Sequence, residues 1–131
     1  ALVVGVANDQ SIAWGCAQAM HKAGAAIAMT YANDRARPHV EPLARQLGAE
    51  IFLPLDVRDP AQLDALFDAV GQRWGGLDVL VHSVAFAPKE ALQGRVVDPL
   101  SHELRPWRSR VLNWLAYAMM RIALLVNGKR Y

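Results

Sequence analysis

Four short stretches of this 131-residue chain hold the residue types that can cradle a flat, phosphate-bearing ligand. The first reads Gly5-Val6-Ala7-Asn8-Asp9-Gln10-Ser11-Ile12-Ala13-Trp14-Gly15. Gly5 permits a sharp turn, and Ser11 is placed to cap a helix whose free N–H groups and positive dipole end can receive a pyrophosphate. Its spacing is not G-x-G-x-x-G, so the stretch also reads as an ordinary strand-to-helix loop. The second is Thr30-Tyr31-Ala32-Asn33-Asp34-Arg35. Ala32 stands where a dinucleotide site carries an acidic ribose ligand. Asp34 or Arg35 substitutes for it from further along, or the run is a solvated polar turn. The third is Asp56-Val57, whose carboxylate either accepts from an adenine amino group or caps the next turn. The fourth is Ser83-Val84-Ala85-Phe86-Ala87-Pro88. Its small residues allow close backbone approach to a flat ligand, with Phe86 and Pro88 as an apolar wall; the alternative is a loop packed under the fold.

Each stretch follows a short apolar run. The runs Ala1–Val6, Ala26–Tyr31, Ile51–Leu55 and Leu77–Ser83 recur about every 25 residues without clean alternation, as strands buried on both faces do. Between them lie three helical segments. Ser11–Lys22 offers Ala13, Ala17 and Ala19 for close packing on a sheet. A middle helix is expected from Glu41 to Leu47, because Pro38 and Pro42 intrude before it, with Gly48 as its C-cap. Pro60–Trp74 places Leu63, Leu66, Phe67, Val70 and Trp74 on one face, with Asp59 as N-cap, Pro60 at the first helical position and Gly75-Gly76 as the stop. The βαβαβαβ order predicts an α/β parallel sheet with right-handed crossovers, whose ligands bind beyond the carboxyl ends of the strands.

Composition narrows the function classes. A 53% hydrophobic chain with 9 Gly and 7 Pro is neither disordered nor low-complexity. The net charge of +2 points to no acidic partner. It combines −3 over residues 1–94 with +5 over residues 95–131, where Arg95, Arg105, Arg108, Arg110, Arg121, Lys129 and Arg130 stand against Asp98 and Glu103. One cysteine, Cys16, excludes an internal disulfide framework. Cys16 and His21, His39, His82 and His102 show no metal-ligand spacing, so no metal is expected. His82 within a strand and Cys16 within a packed helix read as structural. No Gly-x-Ser-x-Gly elbow occurs. The run Val111–Val126 is shorter than the roughly 20 residues of a membrane span, so an amphipathic helix and no membrane insertion are expected. Arg105, Arg108 and Arg110 lack an aromatic platform for nucleic acid. No basic leader precedes Ala1, and a cytoplasmic location is expected.

Together the four stretches resemble the bacterial enoyl-[acyl-carrier-protein] reductases, divergent short-chain dehydrogenases/reductases. The residues concerned are Gly5-Val6-Ala7 with Ser11-Ile12-Ala13-Trp14-Gly15, Thr30-Tyr31 with Asn33-Asp34, Asp56-Val57, and Val81-His82-Ser83 leading into Phe86-Ala87-Pro88. The resemblance covers about residues 1–98 and implies a Rossmann-type doubly wound sheet, incomplete, with about four strands present. It implies NADH as cofactor, with NADPH possible, and hydride transfer to a trans-2-enoyl thioester on acyl carrier protein. By the same resemblance Gly5, Ser11 and Ile12 would surround the pyrophosphate and nicotinamide ribose, and Asp56 and Val57 would contact adenine. Ser83, Val84 and Ala85 would line the ribose and nicotinamide side, and Ala87 would touch the acyl substrate. Ala32 is shorter than the side chain family members often carry there.

Residues 1–98 thus read as a dinucleotide-binding half, and residues 99–131 as a basic helical tail weakly matching the helix that follows. Ser101-His102-Glu103-Leu104-Arg105-Pro106 departs from the family's Ser/Thr-Arg-Glu-Gly-Phe start, and only Asn113 offers a match to the superfamily's helix asparagine. Tyr117 has no lysine seven residues on and Tyr131 is terminal, so no catalytic residue is assigned in this chain. Family members are commonly homotetramers. The other readings are a non-catalytic nicotinamide-nucleotide-binding module and a carbonyl reductase of the same superfamily.

Overall fold

The computed structural model describes residues 1–84. Within them the order is β1 (Leu2–Val4), α1 (Ile12–Lys22), β2 (Ala28–Tyr31), α2 (Arg37–Gln46), β3 (Ile51–Pro54), α3 (Pro60–Trp74) and β4 (Leu80–His82). The strands form one parallel sheet in the order β3-β2-β1-β4. This is the α/β arrangement expected from the sequence. The expected tail helix Val111–Val126 and Asn113 lie outside the described residues.

The unbroken apolar character of β1 follows from its two covered faces. Leu2 and Val4 join Ala28, Leu63, Leu66, Phe67 and Val70 in one core cluster, which is the α3 side. Val3 joins Ala13, Trp14, Ala17, Met29 and Val40 in a second cluster, on the α1 and α2 side. Successive strand residues point to opposite faces, so a strand sandwiched between helices must be apolar at every position. The outer strands are less enclosed: β3 is buried only at Ile51, and β4 is half-buried throughout. Pro54 lies at the exposed end of β3, where an outer strand tolerates a missing N–H.

Helix ends follow the cap chemistry. Ser11 caps α1, its side chain accepting from the Trp14 N–H. Asp59 caps α3 by accepting from the Ala61 N–H, and Pro60 opens the helix. Gly75 closes it in the left-handed conformation at φ 67°, donating to the Gly71 carbonyl. Ala13 and Ala17 are buried as expected, but Ala19 is exposed. At 100° per residue it points away from the face that Ala13, Trp14 and Ala17 share.

One helix boundary differs from expectation. α2 begins at Arg37, ahead of Glu41, and carries both prolines. Pro38 sits in the first turn, where its absent N–H has no intrahelical partner to lose. Asn33 supplies the start: its side-chain oxygen accepts from Ala36 N–H at 3.1 Å and its carbonyl from Arg37 N–H at 3.1 Å. Pro42 lies inside the helix on its exposed side, while Val40 and Ala44 form the buried side. Glu41 pairs with Arg37 one turn before and Arg45 one turn after.

The α3 face fixes the sheet on that side. Phe67→Ala is expected to lower unfolding free energy by about 3–5 kcal/mol in a urea titration. A loss below about 1 kcal/mol would show that α3 does not rest on the sheet as described.

Candidate nucleotide site at the carboxyl edge of the sheet

In this strand order the chain leaves β1 toward β2 and β3 on one side, and β4 lies on the other. The carboxyl ends of β1 and β4 therefore flank the topological switch point, where open α/β sheets form their ligand crevice. Val4 and His82 are register partners, and the Ser83 N–H donates to the Val4 carbonyl at 2.9 Å. The next residue on β1 is Gly5, with φ +102°. A Cβ built there would overlap the Ser83 carbonyl and lie 3.1 Å from the Val84 nitrogen. Two backbones approach at Gly5 more closely than a side chain allows.

Beyond Gly5 the first loop is tied by its own polar groups. The Ser11 hydroxyl donates to the Asn8 carbonyl at 2.7 Å, and Asn8 Oδ1 accepts from the Gln10 N–H at 3.0 Å. Ser11 also accepts from the Trp14 N–H at 3.3 Å. The N–H groups of Ile12 and Ala13 have no acceptor among the described residues. They are the free donors that a helix start presents to an anion. Ile12 leaves its side chain 82% exposed beside them. An apolar side chain so exposed at a loop of polar groups is suited to cover a flat ring.

The second and third loops stand at the ends of β2 and β3. Ala32 is exposed, as are Asp34 and Arg35. Arg37 lies over the Tyr31 ring at 5.8 Å, and Tyr31 packs on Phe52 with ring centroids 4.8 Å apart. Asp56 is half-buried, and Val57 packs against the α3-side core. The Asp56 N–H donates to Gln62 Oε1 at 2.8 Å, and Gln62 Nε2 donates to Asp59 Oδ2 at 3.0 Å. Arg58 holds the Asp56 carboxylate through its guanidinium, with Nη2 to Oδ2 at 2.7 Å and Nε to Oδ1 at 2.9 Å. The Arg58 hydrogen bonds hold the Asp56 carboxyl below its ordinary pKa, against a smaller opposing effect of burial.

Gly5 therefore meets Ser83 and Val84 where β1 and β4 end, and Ser11 and Ile12 follow on the loop that leaves β1. Ala32, Asp56 and Val57 follow strands β2 and β3 along the same sheet edge. Ala85 and Ala87 lie outside the described residues. His82 is held in β4, where burial lowers its imidazole pKa. Among the described residues no group of His, Cys, Asp and Glu could hold a metal, and no helix is long and apolar enough to cross a membrane. The sequence names Asn8 and Asn33 only within longer runs, and nothing in it singles out Arg58 or Gln62. Asp-x-Arg and Asn-x-x-Ala are turn signals, but their partners depend on how each turn closes.

A sequence model described as enoyl-(acyl carrier protein) reductase matches residues 5–124. The chain belongs to this reductase family. It is 48% identical over 136 residues to an enoyl-[acyl-carrier-protein] reductase [NADH] of Synechocystis, covering 98% of this chain and 51% of the relative. It is 47% identical over 97 residues to enoyl-[acyl-carrier-protein] reductase [NADH] 1 of Rhizobium meliloti, covering 74% of this chain and 36% of the relative. The chain thus spans about half or less of the curated relatives it matches. The crystal structure of the NADH enoyl-[acyl-carrier-protein] reductase from Aquifex aeolicus superposes with a TM-score of 0.83 at 34% identity, covering 95% of this chain and 49% of that one. That of the Anaplasma phagocytophilum reductase in complex with NAD gives 0.69 at 37% identity, covering 95% and 46%. The family resemblance read from the four loops holds, and the fold is that of these reductases.

Two glycines separate local from contact effects. Gly5→Ala meets both the positive φ and the Ser83 carbonyl, and is expected to cost more than about 2 kcal/mol by denaturant titration. Gly15→Ala has open space around its Cβ in α1 and is expected to stabilise by about 0.5–1 kcal/mol. Equal effects at the two positions would contradict the close approach.

Asp56 gives a pH test. Its carboxyl is lowered in the folded state, so the linked stability is present above the unfolded carboxylate pKa and lost as pH falls through the folded one. Carboxyl-carbon NMR of Arg58→Ala is expected to show the Asp56 titration moved up toward the ordinary carboxylate range. An unchanged titration would mean that the pair does not form in solution.

Proposed function

We propose that this chain forms the nicotinamide-nucleotide-binding half of an enoyl thioester reductase that uses NADH. In this reading residues 1–98 serve as the dinucleotide-binding half and residues 99–131 as its basic continuation in sequence. The observation that carries the reading is the close approach of Gly5 to Ser83 and Val84 at the switch point, beside a helix start with free N–H groups. The relatives named above are NADH reductases, and one matching structure was solved in complex with NAD.

Each residue has a distinct part. The Ile12 and Ala13 N–H groups receive the pyrophosphate, with Ser11 holding the helix start and Gly5 admitting the close turn. Ile12 covers the nicotinamide ribose. Asp56 accepts from the adenine amino group, and the Val57 backbone meets the same ring. Ser83, Val84 and Ala85 line the nicotinamide side, and Ala87 touches the acyl chain. Bound NADH supplies the hydride for the double bond of a trans-2-enoyl thioester, here one carried by acyl carrier protein. The chain's part is to orient the nucleotide and keep one face open to the substrate. Ala32 leaves the adenosine ribose to other groups of the second loop, Asp34 or Arg35. We assign the proton-handling groups of the reaction to residues outside this chain. A homotetrameric assembly and a cytoplasmic location accord with the family reading.

The test is calorimetric titration of the 131-residue chain with NADH, followed by absorbance of the reduced nicotinamide with a crotonyl thioester present. Binding without turnover is expected. No binding would overturn the nucleotide reading, and turnover by the chain alone would overturn the assignment of catalytic groups elsewhere.

A further inference from the structure

The Asp56 carboxylate is held at both of its ends. Its backbone is fixed by the Asp56 N–H donation to Gln62 Oε1, and Gln62 is in turn tied to the helix cap Asp59. Its head takes three donors, all from Arg58. The Arg58 backbone N–H donates to Oδ1 at 2.9 Å. The Nε–H is shared between Oδ1 at 2.9 Å and Oδ2 at 3.2 Å, and Nη2 donates to Oδ2 at 2.7 Å. A carboxylate offers about four acceptor directions. Arg58 makes four contacts to the two oxygens and blocks rotation of the group; the longest, Nε to Oδ2 at 3.2 Å, is the one that a further donor on Oδ2 would displace.

An isolated exposed ion pair of this kind contributes little to stability. Arg58 is 72% exposed and Asp56 35%. The geometry instead matches recognition. A planar guanidinium locks a carboxylate in one plane, which a flexible ammonium does not do. An ionised carboxylate accepts but cannot donate. Held in place at the end of β3, it favours a ring bearing an amino group and opposes one bearing a carbonyl oxygen at the same position.

We propose that Arg58 is a positioning residue that fixes the Asp56 carboxylate as a selective acceptor for the exocyclic amino group of the adenine ring. This rests on the nucleotide reading above. It adds that selection between amino- and oxo-purine dinucleotides comes from a side chain that need not touch the nucleotide.

The test titrates the full 131-residue chain with NADH and with reduced nicotinamide hypoxanthine dinucleotide, whose purine carries oxygen in place of the amino group. The unsubstituted chain is expected to prefer NADH about tenfold or more, as for a hydrogen bond to a charged acceptor. Arg58→Ala is expected to reduce that preference to about threefold or less, mainly through weaker NADH binding, with hypoxanthine dinucleotide binding kept as the sign of an intact fold. Asp56→Asn, whose amide can accept or donate, is expected to remove the preference. Arg58→Lys should restore only part of it. An undiminished preference in Arg58→Ala, or equal weakening toward both nucleotides, would overturn the positioning role and leave the nucleotide reading standing. Equal affinity of the unsubstituted chain for both would overturn it as well. Failure of the unsubstituted chain to bind either nucleotide would overturn the nucleotide reading and this inference with it.

Discussion

The backbone contact between Gly5 and the β4 exit is the constraint on which the rest of the site depends. β1 and β4 are parallel neighbours, and the Ser83 N–H continues their ladder to the Val4 carbonyl. The first loop must turn away at once for the helix start at Ser11 to face the strand ends. Gly5 makes that turn with a positive φ and with no side chain between it and Ser83. Any larger residue would push the β1 and β4 exits apart. The two cores on either face of β1 hold the strand in place at this contact.

A division of labour follows from that arrangement. The β1 and β4 exits provide neutral backbone and small side chains, suited to a pyrophosphate and a flat ring. The β3 exit provides charge, but charge already neutralised by Arg58 and oriented by Gln62. The far end of the sheet has a different character. There Glu50 binds both Arg73 and the Trp74 indole, linking the end of α3 to the start of β3. That end is stitched together by side chains; the carboxyl edge has its own ties at Asn8 and Asp56 but leaves the Ile12 and Ala13 N–H groups without an acceptor among the described residues.

Much of this was legible in the sequence because it follows local rules. Asp59, Pro60 and Gly75 frame α3 as cap, first residue and stop, and Leu63, Leu66, Phe67 and Val70 give its buried face. Ser11 announced α1 in the same way. The strands were placed correctly but overextended: Ala1–Val6 shortened to Leu2–Val4, and Leu77–Ser83 to Leu80–His82. Apolar runs continue into the turns that leave a buried sheet, so hydrophobicity overstates strand length. The start of α2 is not legible, because two prolines signal a break, while Asn33 and a first-turn position make Pro38 compatible with a helix. The Asp56–Arg58 pair was not legible at all. Residues two apart meet only when a turn folds them together, and spacing does not encode that closure.

The central claim is that the nucleotide lies along the carboxyl edge, centred on Gly5 and the β4 exit. Amide chemical-shift mapping of the 131-residue chain during NADH addition tests it most directly. The account predicts saturable shifts at Gly5, Ser11, Ile12, Asp56, Val57, Ser83 and Val84, with Ala26, Gly48 and Gly76 at the opposite edge unmoved. Shifts concentrated at that opposite edge, or none at the Gly5 and Ser83 amides at saturation, would contradict it.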